Sequence, residues 1–319
     1  METLILTQED VKSLIGIEKA IKAVEEAFKL YATSNAIMPP KVYLTLEEGD
    51  FRAMPSSLMG YAGLKWVNSH PKNPEKGFPA VMAVFVLNDP SNGFPLAVMD
   101  ATYLTSLRTG AAGGVAMKFL ARKDSRIFGF IGCGKQAIFQ FLAAKELFKV
   151  EIVKAFDINE KASLSFKEFC ESKGVKCEIR GAEEVCDCDV LITSTPSNRP
   201  VVKKEWIKET THINAIGADA PGKQELDIEI LKRAKIVVDD LEQALHGGEV
   251  NVAYSLGIIN RENIYATLGE IVAGIKKGRE GDEITIFDST GLAIQDLAVA
   301  KIVYENAVKK GFGIKIKLI

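Results

Sequence analysis

A chain of 319 residues is long enough to bury two cores, and its 47% hydrophobic and 26% charged residues fit a globular protein, not a disordered or fibrous one. Forty basic and 42 acidic side chains are interspersed, with a net charge of −2, which argues against a nucleic-acid partner or an anionic membrane surface. No apolar run reaches the roughly 18 residues that span a bilayer, and METLILTQED carries acids where a secretory leader is apolar, so no membrane association and a cytoplasmic location are expected.

The first third reads as a mixed α+β segment. Apolar residues from Val11 to Phe28 recur at helical spacing, predicting a helix from Thr7 to Tyr31 with Thr7 as N-cap. Pro39-Pro40 end that pattern, and strand-like runs follow at 41–46, 51–54, 62–68, 81–88 and 96–100. Between them lie turn clusters such as HPKNP and DPSNG, so an antiparallel sheet packed on the first helix is expected. A small-residue helix opening at RTGAAGG (108–114) and running to about Ala121 is the expected connector.

From Arg126 strands and helices alternate. Apolar strands at 127–131, 151–156, 177–180, 189–194, 212–217, 235–240 and 283–288 are interleaved with helices at 135–148 and 160–173, the texture of a parallel sheet covered on both faces. A last amphipathic helix, 292–309, is surplus to those layers and is expected to return to the first domain. The predicted fold class is therefore α/β: a Rossmann dinucleotide-binding domain, 119–292, plus an α+β domain of 1–118 with 293–319.

Gly132-Cys133-Gly134-Lys135-Gln136-Ala137 matches G-x-G-x-x-[GA] directly after an apolar strand and before a helix. The first glycine permits the tight turn, the second lets pyrophosphate approach the backbone, and Ala137 lets helix and strand pack closely. The next strand ends in Asp157, at the offset of a ribose-binding acid; the other reading is a solvated strand-end aspartate. Ile158, Asn159 and Glu160 follow without an arginine to neutralise a 2′-phosphate, which favours NAD over NADP. The five cysteines and three histidines lack the spacing of a metal site, so no metal is expected and the thiols read as free and buried.

Ligands collect beyond the carboxyl ends of such strands. Thr193-Ser194-Thr195-Pro196, Gly217-Ala218-Asp219-Ala220-Pro221-Gly222-Lys223 and Asp288-Ser289-Thr290-Gly291 end there. Asp219 is either a carboxylate that activates water or a glycine-turn aspartate. In the first domain Lys41, Arg52, Lys65 and Arg108 lie in apolar settings. Lys65, within GLKWV, is either a snorkelling edge residue or a desolvated amine suited to acid–base work.

KVYL (41–44), RAMP (52–55), YAGLKWVNSHP (61–71), PLAVMDATYLTSLRTGAAGG (95–114), FGFIGCGKQA (128–137), INAIGADAPGKQEL (213–226) and IFDSTGLAIQDLAVAK (286–301) resemble the ornithine cyclodeaminase/mu-crystallin family across essentially the whole chain. The resemblance, strongest to the family's amino-acid dehydrogenases, implies a homodimer whose first domain with the C-terminal helix carries dimerisation and substrate. It implies NAD-dependent oxidative deamination of a small L-amino acid, with L-alanine and its 2-oxo acid the best fit. Lys65 and Asp219 would be catalytic, and Lys41, Arg52 and Arg108 would hold the substrate carboxylate. Cofactor contacts would fall on Arg108, Thr109, Gly132, Gly134, Lys135, Gln136, Asp157, Ile158, Asn159, Thr195, Gly217, Ala218, Asp219, Lys223 and Ser289. Two departures stand out. Arg52 replaces the acid with which cyclodeaminases hold ornithine's distal amine, and Ala80 replaces a hydroxyl residue that relatives often carry near the nicotinamide. A cyclodeaminase-type lyase, a cyclic ketimine reductase and a non-enzymatic nucleotide-binding crystallin are the alternatives.

Overall fold

A computed structural model of the chain describes residues 2–319. It divides into two compact units: Met1–Arg108 with Leu292–Ile319, and Thr109–Gly291. The first change-over falls inside the helix Thr102–Leu120.

In the first unit, strands Gly49–Leu58, Tyr61–Ser69, Ala83–Asn88 and Pro95–Asp100 form a continuous antiparallel run, with Val42–Leu46 and Ala36–Ile37 also pairing to Gly49–Leu58. The sheet is mixed, not purely antiparallel: Thr3–Leu6, a strand too short to stand out in the sequence, lies parallel to Pro95–Asp100, and Ile314–Ile316 closes that edge. Alternation decides the faces. Arg52, Met54, Ser56 and Leu58 are buried on one side of their strand, as are Lys65 and Val67 on theirs, while Leu64 and Trp66 point to the exposed side. The helices Ile17–Ala32 and Ala293–Lys310 pack together, and the second covers the buried face, where Ser56 Oγ donates to Ala293 O at 3.1 Å.

The single helix expected from Thr7 to Tyr31 is two, Gln8–Leu14 and Ile17–Ala32. Ile15 and Gly16 are extended between them, and Gly16, a weak helix former, is the N-cap of the second. Thr7 caps the first, its Oγ1 accepting from Asp10 N while the Asp10 carboxylate accepts from Thr7 N.

The second unit is an eight-stranded parallel sheet. Its order begins Lys176–Ile179, Ile152–Phe156, Ile127–Ile131, Val190–Thr193, His212–Ala215, the 3-2-1-4-5 winding of a Rossmann fold. Thr285–Asp288 takes the sixth place, followed by Lys235–Val238 and Ile264–Thr267. The winding reverses beside Ile127–Ile131, so the crevice that binds nucleotides in such sheets opens at the turn that follows it. A separate two-stranded ribbon, Asn198–Val202 with Gln224–Leu226, was not evident from the sequence.

Candidate active site

Gly132 follows the strand Ile127–Ile131 with φ +89°, a backbone that disfavours any side chain, and a Cβ there would press on Ser194 O at 2.8 Å. Gly134 is the N-cap of the helix Lys135–Leu147 without a side-chain cap, and a Cβ at Gly134 would meet nothing within 4 Å. The first N–H groups of a 13-residue helix therefore face open space, as a pyrophosphate requires. Lys135 is exposed and Gln136 half-buried at that end, while Ala137 is fully buried against the sheet. Asp157 ends the neighbouring strand: its Oδ2 accepts from Cys133 N and its Oδ1 from Asn159 N, both at 2.8 Å. Ile158 beside it is 96% exposed, and Asn159 caps the next helix through Lys161 N. An apolar side chain bare to water next to a ribose acid suits an adenine face. These residues fit an adenine dinucleotide.

Three loops continue the site at the strand ends. Thr195 N and Oγ1 donate to one oxygen of Glu225 at 2.6 and 2.7 Å, and Thr193 Oγ1 and Gly217 N donate to the other at 2.8 and 2.9 Å. Asp219 is half-exposed and pairs with Lys223 Nζ at 2.5 Å. Ala218 is fully buried, and Ser289 is buried with its N–H donating to Ala215 O at 3.1 Å. Thr109 is buried and accepts from Gln140 Nε2 through its carbonyl. The five thiols are free and buried, and among the described residues no group of three His, Cys, Asp or Glu side chains could hold a metal ion.

The cations of the first unit gather on the buried face of the sheet. Lys65 sits on an interior strand, between Gly49–Leu58 and Ala83–Asn88, and is 1% exposed, so it is the desolvated amine and not an edge residue. Its Nζ lies 2.7 Å from Asp296 Oδ2, and Asp296 Oδ1 accepts from Arg108 Nε at 3.0 Å. Arg108 Nη1 also donates to Gln295 Oε1, so this guanidinium is fixed by two residues of the C-terminal helix. Burial is the largest influence on Lys65; it and the positive fields of Arg108 and Lys41 outweigh the attraction of Asp296, lowering the amine to about 7. Arg52, two residues along from the Lys65 partner Met54 and so diagonal to Lys65 on the same face, is held by Asp50 through Nε at 2.8 Å and Nη2 at 3.2 Å, over the Tyr43 ring. Lys41 is half-buried, and Ala80 O accepts from His70 N.

Two functional-looking acids escaped the reading of the sequence. Asp296 lies within IQDLAVAK, where helical spacing marks it as one polar residue among apolar ones. Glu225 lies in GKQEL beside the more conspicuous Asp219. A charged residue inside an otherwise apolar helix face was the available signal for the first; no local pattern marks the second.

A parallel sheet wound in the Rossmann order, a glycine cradle with its ribose acid, and a buried lysine in a second α+β unit define a class of dinucleotide-dependent proteins. The chain belongs to the ornithine cyclodeaminase/mu-crystallin family, whose profile matches residues 1–311. It is 67% identical to an alanine dehydrogenase of Archaeoglobus fulgidus over 318 residues, 99% of either chain. Its fold superposes on an archaeal alanine dehydrogenase dimer with bound NAD at TM-score 0.99, with 67% identity and full coverage of both chains. It also matches the Δ1-pyrroline-2-carboxylate reductase of Thermococcus litoralis, in complex with NADH and L-proline, at TM-score 0.96 and 40% identity, over 98% of this chain and 100% of the other. Among the described residues no helix is long and apolar enough to cross a membrane.

Proposed function

We propose that the chain is an NAD-dependent alanine dehydrogenase that converts L-alanine, NAD⁺ and water to pyruvate, ammonium, NADH and a proton, reversibly. The observation that carries this reading is the 67% identity to an alanine dehydrogenase over 99% of either chain. The arrangement of this chain's residues supports that chemistry. When bound, NAD⁺ supplies the hydride acceptor. Gly132, Gly134 and the N–H groups from Lys135 onward would hold its pyrophosphate, and Asp157 its adenosine ribose. Lys65, an amine that is about half neutral near pH 7, takes a proton from the substrate ammonium so that the nitrogen lone pair can assist loss of hydride from Cα. Arg108, Lys41 and Arg52 supply positive charge for the carboxylate, and the acids that fix Arg108 and Arg52 limit the reorganisation that binding requires. Asp219, half-exposed beside Lys223, orients the water that attacks the imine carbon.

Arg52 speaks against ornithine, whose distal ammonium it would repel. The 40% identity to a pyrroline-2-carboxylate reductase makes a cyclic ketimine the second substrate to try. The exposed apolar sheet face, with Leu64, Trp66 and Val84, supports a homodimer, and five unpaired buried thiols support a cytoplasmic setting. NADH formation followed with L-alanine, L-proline and L-ornithine tests the reading. Turnover strongest with L-alanine supports it; ketimine reduction without alanine turnover, or ammonia release from ornithine without NADH, overturns it.

A further inference from the structure

Glu225 is fully buried and gathers four donors from two different strand ends: Thr193 Oγ1, Thr195 N, Thr195 Oγ1 and Gly217 N, at 2.6 to 2.9 Å. A carboxylate offers about four lone-pair sites and all four are used, two of them by the backbone N–H groups of Thr195 and Gly217, which can only donate. The two loops it ties follow Val190–Thr193 and His212–Ala215, neighbouring strands next to the fingerprint strand. The tie reaches the cofactor cradle itself: Ser194 Oγ donates to Gly132 O at 3.1 Å, and a Cβ at Gly132 would stand 2.9 Å from Thr195 Cγ2. Gly217 is pressed just as closely, since a Cβ there would overlap Thr195 O and the Glu225 carboxylate.

A second layer of acids lies behind the clamp. Glu249 accepts from Glu225 N and Leu226 N, and Asp288 accepts from Val250 N at 3.1 Å while its Oδ1 has no donor. Burial and the neighbouring carboxylates raise both acids, Asp288 to about 8; burial raises Glu225 too, while its four donors pull the other way.

We propose that Glu225 is a positioning residue for dinucleotide binding: it clamps the Thr195 and Gly217 loops against the Gly132 turn so that the nicotinamide end meets preformed walls. This rests on the NAD reading above and goes beyond it by assigning a role to an acid whose oxygens are all engaged by the protein's own donors. Preorganised loops act on affinity, because an untied loop must be ordered by the ligand each time it binds.

The test is titration of the full-length protein with NADH, by fluorescence, for the wild type, Glu225→Gln, Glu225→Asp and Thr193→Val, with melting temperatures measured alongside. Glu225→Gln should weaken NADH about tenfold or more and raise KM for NAD⁺ similarly, with kcat changed less than about threefold. Thr193→Val removes one donor outside the cradle and should weaken NADH a few-fold, and it carries the test if the Gln variant does not fold. Glu225→Asp should recover part of the affinity. Wild-type NADH affinity in Glu225→Gln, or in Thr193→Val where the former fails to fold, overturns the proposal. So does a fall in kcat at unchanged KM. Absence of NADH binding by the wild type would instead overturn the cofactor reading on which the proposal rests.

Discussion

Lys65 Nζ stands 2.7 Å from Asp296 Oδ2 on the buried side of the sheet, and the same carboxylate holds Arg108 through its other oxygen. One acid thus serves two cations, and a site that excludes water carries one surplus positive charge before Lys41 is counted. Desolvation and like charge outweigh the ion pair, which is why the amine falls from its ordinary value to about 7 instead of rising.

The first consequence is a pH profile. Amine acting as base must be neutral, so kcat/KM for L-alanine oxidation should increase with pH through about 7 and level off above it. Lys65→Met, of similar volume but without the amine, should lower kcat by about a hundredfold or more while NADH binding persists. A profile that climbs only near 10, or a Met variant that retains turnover, removes Lys65 from proton transfer.

Asp296 is the one group in this cluster that raises the amine, through its charge and its hydrogen bond. Asp296→Asn should therefore displace the ascending limb of the profile to lower pH. It also leaves Arg108 beside Lys65 with no buried counter-charge, and removing one partner of a buried pair costs about 3–5 kcal/mol. Thermal denaturation at pH 8, where Lys65 is mostly neutral, should show a smaller loss than at pH 6. A limb displaced to higher pH would mean that Asp296 does not face the lysine in solution.

Much of this was legible in the sequence, for reasons that differ between the two units. The parallel strands are short apolar runs with little competing pattern, and the Gly132–Ala137 turn carries its own stereochemistry, so the strand at 127–131, its turn and the acid at Asp157 could be placed from local rules. The fate of Lys65 could not. Whether a lysine between Leu64 and Trp66 lies at an edge or in the middle of a sheet depends on strands 49–58 and 83–88 pairing on either side, a non-local fact. Asp296 and Glu225 were hidden for the same reason. Each gains its meaning from donors far away in sequence, at Arg108 and Lys65 for one and at Thr193 and Thr195 for the other. The break at Gly16 is a smaller case: apolar periodicity runs through Ile15, and burial of both Leu14 and Ile15 fixes the kink.

The outward face of the same sheet supports a prediction about assembly. Trp66 stacks on Phe51 with ring centroids 5.3 Å apart, pairs in register with Val84, and is 41% exposed beside Leu64 at 36%. An aromatic and aliphatic patch of this kind is a dimer core in waiting. Trp66→Glu should raise the dimer dissociation constant by about thirtyfold or more, corresponding to about 2 kcal/mol for a central aromatic anchor. Light scattering after size exclusion reads the result directly, and an unchanged dimer mass at micromolar dilution would place the interface elsewhere.

Cofactor choice turns on Asp157. Its oxygens already accept from Cys133 N and Asn159 N, so the carboxylate is fixed before any ligand arrives, and its remaining lone pairs suit the two ribose hydroxyls. A 2′-phosphate brought to the same place meets a negative charge that cannot swing away, because moving it would break both backbone bonds. NAD⁺ should therefore be used far better than NADP⁺. Asp157→Ser keeps an acceptor near Cys133 but removes the charge; it should weaken NAD⁺ by about 10- to 100-fold, the worth of charge-assisted hydrogen bonds of about 1.5–3 kcal/mol, and affect NADP⁺ much less. Steady-state kcat/KM for both cofactors, with the melting temperature as a control on the turn, checks this. If the ratio between the cofactors does not move, discrimination lies in residues beyond this acid, and the ribose contact assigned to it is wrong.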